Sequence, residues 1–197
     1  MSVKSSITER DGIYFITIPC LNWLPLFELT NSYDVIYKWF DYLKSKGHYI
    51  NGYVIMPNHL HVLFGFRCAD KSINTIVSNG KRFMAYEIIK RLQEQNQTDI
   101  LNQLSHAVTA SDQKRGKLHQ VFEPSFDCKE CLHDSFIEQN LSYIHKIPCT
   151  GMWNLAESPI NYWHSPAKFY HTGEHAMYAV TNYKELLDVD LTRPCNN

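Results

Sequence analysis

His48 to Met56 (HYINGYVIM) and His59 to Phe66 (HLHVLFGF) are two β-branched and aromatic runs separated only by Pro57 and Asn58. Such residues suit pleated backbone and the Pro-Asn pair suits a turn, so the segment reads as two antiparallel neighbours joined tightly. The density of apolar residues in both runs makes them central strands.

The other elements are read outward from this pair. Ile13 to Cys20 (IYFITIPC) begins just after Gly12 and ends against Pro25, and is expected to be the first strand. Asn31 to Lys46 spaces Tyr33, Ile36, Tyr37, Phe40 and Leu43 three or four apart, with Asn31 or Ser32 as cap and Gly47 as stop, which predicts a helix. Ile73 to Gln95 predicts a second, with Ile76, Val77, Phe83, Ile88, Ile89 and Leu92 turned to the sheet and a polar, basic remainder. From Asn96 to Gly116 the periodicity fails, so a long loop, or a weak helix and a mobile connector, is expected. A short strand over Leu118 to Phe122 then precedes a third helix from about Cys131 to Ile147, ended by Pro148. The tail from Gly151, rich in aromatics and turn residues, is expected to wrap the domain. The order predicts an α+β fold of ferredoxin-like type: a mainly antiparallel sheet with helices packed on it, plus an aromatic-rich C-terminal extension. One domain is expected over 1–197, with its core at about 12–170 and the extension at 171–197.

With 197 residues, 44% of them hydrophobic, the chain can bury one sizeable core. No apolar run approaches the ~20 residues of a membrane span, so a soluble cytoplasmic protein with no membrane partner is expected. The six cysteines (Cys20, Cys68, Cys128, Cys131, Cys149, Cys195) are expected to be reduced. Only Cys128 and Cys131, with His133 nearby, have metal-ligand spacing; a zinc site normally needs two such pairs, so ordinary helical cysteines are expected.

A net charge of −1 argues against coating duplex DNA by bulk attraction. Basic side chains nevertheless collect in residues 71–129, where Lys81, Arg82, Lys90 and Arg91 bracket the second helix. Parts of this quartet can share a face and meet backbone phosphates, the alternative being a solvated helix face. Trp153, Tyr162 and Trp163 are candidates for stacking on unpaired bases, although burial in the core is the stronger expectation.

Within the second strand of the opening pair, His59-Leu60-His61 places two imidazoles on one face, a pleat apart, with Leu60 in the core. Two neutral imidazoles so placed can grip one ion. With ten histidines in the chain, an H-x-H arises readily by chance, and exposed strand histidines are its plain alternative.

The run Gly52-Tyr53-Val54-Ile55-Met56-Pro57-Asn58-His59-Leu60-His61-Val62-Leu63-Phe64 resembles the metal strand of the single-tyrosine HUH transposases. Tyr143-Ile144-His145-Lys146-Ile147-Pro148 resembles their tyrosine helix, and Gly151, Pro159, Tyr162, Ser165, Ala167 and Tyr170 follow at similar spacings, particularly those of the REP-associated branch. The resemblance covers roughly Gly12 to Tyr170. It implies that His59 and His61, with a third ligand from the tyrosine helix, bind Mg²⁺ or Mn²⁺ against a phosphate of single-stranded or hairpin DNA. It also implies that Tyr143 attacks to form a 5′-phosphotyrosine, which a second 3′-hydroxyl reverses. A protonated phenol attacks poorly, so the nearby cation would favour the phenolate.

The family places a polar third ligand one turn after the tyrosine, where this chain has Ile147, which cannot coordinate a hard cation. Gln139, one turn before, is the substitute candidate. His145 points about 200° away around the helix and is expected at the surface or on DNA. Two rival readings follow, a DNA-binding relative that has lost cleavage and a metal-dependent phosphodiesterase using water. A monomer and a homodimer are both compatible with the resemblance.

Overall fold

The computed structural model describes residues 11–67 and 71–192. Four strands, β1 (Gly12–Pro19), β2 (Tyr49–Met56), β3 (His59–Phe66) and β4 (Asp127–Glu130), form an antiparallel sheet in the order β2-β3-β1-β4. β1 runs the length of β3, from Gly12 opposite Phe66 to Pro19 opposite His59. β2 pairs with the other edge of β3 and slips register between Ile50 and Gly52. Helix α1 (Leu26–Leu29) is one short turn, and α2 (Tyr33–Ser45) and α3 (Ile73–Glu94) are the two crossovers. This order and connectivity is the ferredoxin-like arrangement that the sequence predicts.

Alternation along the strands divides the core into two. Tyr14, Ile16, Ile18, Leu60, Val62 and Phe64 pack with α2 and α3 on one face. Phe15, Val54, Met56 and Leu63 pack with Ile137, Leu141 and Ile144 of α6 (Asp134–Lys146) on the other. Helix α3 starts at Ser72, whose hydroxyl accepts the Thr75 N–H, and buries Ile73, Ile76, Val77, Met84, Ile88 and Leu92. On that stripe a Cβ at Gly80 would lie 2.5 Å from the Trp39 indole, so only glycine admits the close crossing of α2 and α3.

Several expectations are corrected. The last strand is β4 rather than Leu118–Phe122, where only a single bridge joins Phe122 to Cys20. Asp-Cys-Lys-Glu has little strand propensity; it pairs because β1 offers it an edge, with Cys128 turned inward and three charged residues outward. Leu118 itself is exposed. Residues 96–116 hold two helices, α4 (Thr98–His106) and α5 (Ala110–Lys114), the first anchored by Leu104. Phe83 faces solvent rather than the sheet. Cys128 and Cys131 are not helical: they lie in and just after β4, both buried, with burial raising their thiol pKa values to about 12 and about 11. Cys20, Cys128, Cys131 and Cys149 are free thiols, and Cys68 and Cys195 lie outside the described residues.

β2, expected to be central like β3, is an edge strand, and its apolar residues are buried because the tail packs along its outer side. Tyr162 donates its hydroxyl proton to the Ile55 carbonyl (2.7 Å) and Tyr170 to that of Asn51 (2.6 Å). Thr181 N–H donates to the Ile50 carbonyl (3.0 Å). These contacts come before, within and after α7 (Ala167–Thr172) and satisfy an edge that would otherwise present free backbone groups. Among the described residues no helix is long and apolar enough to cross a membrane.

Candidate active site

Because Leu60 points to α2 and α3, its neighbours His59 and His61 point to α6. Their ring centroids are 4.7 Å apart and the rings cross at 83°. Both are buried, at 3% and 6% exposure, and burial lowers their pKa values to about 4 and about 3, the charges of His59 and Lys129 adding to the effect on His61. Both are therefore neutral near pH 7.

Asn58 fixes the tautomer of the first ring. Its amide Nδ2 donates to the Trp23 carbonyl (3.0 Å), which turns Oδ1 toward His59 Nδ1 at 2.6 Å. Since Oδ1 only accepts, His59 Nδ1 carries the proton and Nε2 keeps a lone pair. On β1, the Thr17 hydroxyl is hydrogen-bonded to His61 Nδ1 (2.9 Å), and Phe15 stacks on the same ring at 5.3 Å. Each imidazole is thus held at Nδ1 and, among the described residues, has no hydrogen-bond partner at Nε2, the arrangement found in histidines that bind metal. Two such nitrogens fit one divalent ion as a partial ligand set. Among the described residues no group of three or more His, Cys, Asp or Glu converges, which removes the Cys128–Cys131–His133 alternative and leaves further ligands to an amide, water or phosphate.

Helix α6 places Tyr143 over this pair. Its ring lies 5.3 Å from that of His61 and 6.4 Å from that of Phe15, and the side chain is 48% exposed. Gln139 is exposed one turn before it, and Ile147 packs at the end of the helix against the second core cluster. His145 is corrected: it is buried, with Nε2 unpartnered, beside Tyr170 and His171, because the face opposite Tyr143 is covered by the tail.

The turn after β1 closes the site from a third side. Asn22 (φ 50°) and Trp23 (φ 57°) occupy the left-handed region consecutively; asparagine tolerates it, whereas for Trp23 it costs on the order of 1–2 kcal/mol. Trp23 meets His59 edge to face at 5.2 Å, and Trp153 comes within 6.4 Å of the same ring. Thr17, Asn58 and Trp23 are the site residues that sequence reasoning missed. Strand parity and the turn position beside His59 mark the first two, but nothing local marks Trp23.

The basic quartet is divided. Lys81, Arg82 and Lys90 line a cleft of about 720 Å³, joined there by Arg115 and Lys117. Lys81 donates to the Glu123 carbonyl, and burial lowers its pKa to about 8, the neighbouring Lys117 acting in the same direction. Arg91 is turned to the start of α2, bound to Asp34 (2.9 Å), Glu87 (3.1 Å) and the Asn31 carbonyl. Of the tail aromatics, Tyr162 is core, Trp153 is partly buried and Trp163 is exposed.

No family model and no curated protein matches the sequence. Among solved structures, the chain is similar to a REP-associated tyrosine transposase bound to a REP hairpin, with a TM-score of 0.58 and 12% identity over 100% of both chains. A second similar chain, assigned as a transposase from Deinococcus radiodurans R1, has a TM-score of 0.40 and 14% identity over 73% of this chain and 95% of that one. The first likeness shows the fold; the second is too distant to inform the site.

Proposed function

We propose that this chain is a divalent-metal-dependent DNA transposase of the single-tyrosine HUH type, which nicks and rejoins single-stranded, hairpin-associated DNA through a 5′-phosphotyrosine. One observation carries the reading: two neutral imidazoles with unengaged Nε2 atoms stand side by side, and an exposed tyrosine ring lies 5.3 Å from one of them in the same chain. The shared fold of a hairpin-bound tyrosine transposase supports it.

His59 and His61 would hold Mg²⁺ or Mn²⁺, with Gln139 as the protein's third contribution. Bound there, the ion would neutralise phosphoryl oxygens and favour the phenolate. Tyr143 then forms a bond from its phenolic oxygen to phosphorus as the bond from phosphorus to the 3′-oxygen breaks; the phenol gives up its proton and the departing 3′-oxygen gains one. The new phosphotyrosine keeps the diester's free energy, so another 3′-hydroxyl can displace the phenol without a nucleotide cofactor. Asn58 and Thr17 keep both imidazoles oriented, and Tyr143 stands beside them in the same chain.

Ile147 in place of a polar ligand favours a second reading, a DNA-binding relative that no longer cleaves. Incubation with labelled single-stranded hairpin DNA and Mn²⁺ separates the two. A covalent adduct, lost in Tyr143→Phe, is expected; binding without an adduct supports the inactive form, and cleavage without an adduct points to water as nucleophile.

A further inference from the structure

Trp23 has no folding rationale where it stands. It is 54% exposed, so burial contributes little, yet it is held in a backbone region that a bulky L side chain disfavours. The turn is pinned from every side. Trp23 N–H donates to the Cys20 carbonyl (3.1 Å), its own carbonyl accepts from Asn58 Nδ2 (3.0 Å), and Asn22 N–H donates to the Glu123 carboxylate (2.8 Å). Strain that is over-determined in this way clusters at ligand clamps and active sites.

Two of those pins lead somewhere. Asn58 is the residue whose other amide atom orients His59, so one side chain holds both that imidazole and the Trp23 backbone. Glu123 borders the basic cleft, and its carbonyl accepts from Lys81 there. The turn therefore touches the lining of the basic cleft through Glu123 and the histidine pair through the indole, which meets His59 edge to face and leaves Trp23 54% exposed.

On these grounds we infer that Trp23 is a nucleobase-stacking residue, which seats an unpaired base of the DNA strand next to the phosphate at His59 and His61. The inference rests on the strand-transfer reading for the identity of that phosphate. Its ligand chemistry is specific. The cations along the cleft suit a phosphate backbone, and an indole takes any unpaired base through its π-face, whereas a paired base inside a duplex stem offers no free face. Trp23 would thus place the strand rather than touch the reacting atoms, and it would favour single-stranded over duplex DNA at this point without reading sequence.

The test is binding of the full-length protein to dT oligonucleotides, each position in turn made abasic, followed by fluorescence anisotropy. Trp23→Ala is expected to weaken affinity roughly 5- to 150-fold, the range of one lost base-aromatic stack, while Trp23→Phe stays within about threefold of the parent. One abasic position should weaken the parent by a comparable factor and leave Trp23→Ala unchanged, a pattern that a merely structural role would not produce. Equal affinity of parent and Trp23→Ala, or an abasic profile identical in both, overturns the inference, as does a parent that binds no single-stranded DNA. Adduct formation is read separately with Mn²⁺ and hairpin DNA. Adduct with a silent Trp23 sinks this inference alone, and a position-specific Trp23 effect without adduct keeps it while sinking strand transfer.

Discussion

One strand of this protein serves two different surfaces. On the side of β3 facing α2 and α3, Leu60, Val62 and Phe64 join an unbroken apolar core. On the side facing α6, His59 and His61 interrupt the apolar packing, each held at one nitrogen and open at the other, with an exposed tyrosine and a strained, exposed tryptophan beside them. The first face is apolar along the length of the strand. On the second, the Nε2 atoms of two nearly buried imidazoles have no hydrogen-bond partner among the described residues, which suits a face that binds something.

Core truncation should separate the faces most strongly. Phe64→Ala, at a residue 1% exposed, is expected to cost about 3–5 kcal/mol in chemical denaturation. His61→Ala should cost only about 1–2 kcal/mol while abolishing adduct formation. Equal stability losses would make His61 a packing residue and erase the contrast.

Protonation offers a second separation. Burial lowers His48, which stacks on Phe66 and accepts the Arg67 N–H, from 6.5 to about 4, and it lowers His145 and His164 to about 4 as well. The unfolded chain therefore takes up these protons first, so stability is fully present above about pH 6.5 and is lost as pH falls toward 4. Denaturation midpoints should drop between pH 7 and pH 5, and His48→Phe should flatten part of that slope; an unchanged slope would remove His48 from the cause.

The glycines sharpen the comparison further. Gly80→Ala drives a methyl into the Trp39 ring and should cost about 1–3 kcal/mol. Gly52→Ala meets the ends of Leu141 and Ile144 in α6, at 2.7 and 3.1 Å, which can shift. Its stability cost should be the smaller of the two, with a larger loss of adduct because the displaced helix carries Tyr143. The arginines give the smallest effect. Arg82→Glu should weaken DNA binding and flatten its salt dependence, whereas Arg91→Glu should leave the salt slope alone and cost stability of about 1 kcal/mol through its contacts to Asp34 and the start of α2.

Most of the sheet was legible because its strands carry their own pattern: the bounds of β3 follow directly from His59 to Phe66. β4 was not, since Asp127–Glu130 is a strand only by virtue of the edge it meets. The two histidines and Tyr143 stand out in the sequence by motif and parity, and the structure brings their rings side by side. Helical spacing could not tell that Arg91 would turn to Asp34 or that the tail would bury His145, because both depend on segments distant in sequence. Trp23 was invisible for the same reason: its turn is held by Asn58, 35 residues from Trp23, and by Glu123, 101 residues from Asn22.

The most direct measurement is protease digestion and mass spectrometry of the protein after reaction with Mn²⁺ and hairpin-bearing single-stranded DNA. A nucleotide-linked peptide carrying Tyr143 is the expected result. DNA cut with no linkage, or a linkage at any other residue, would contradict it.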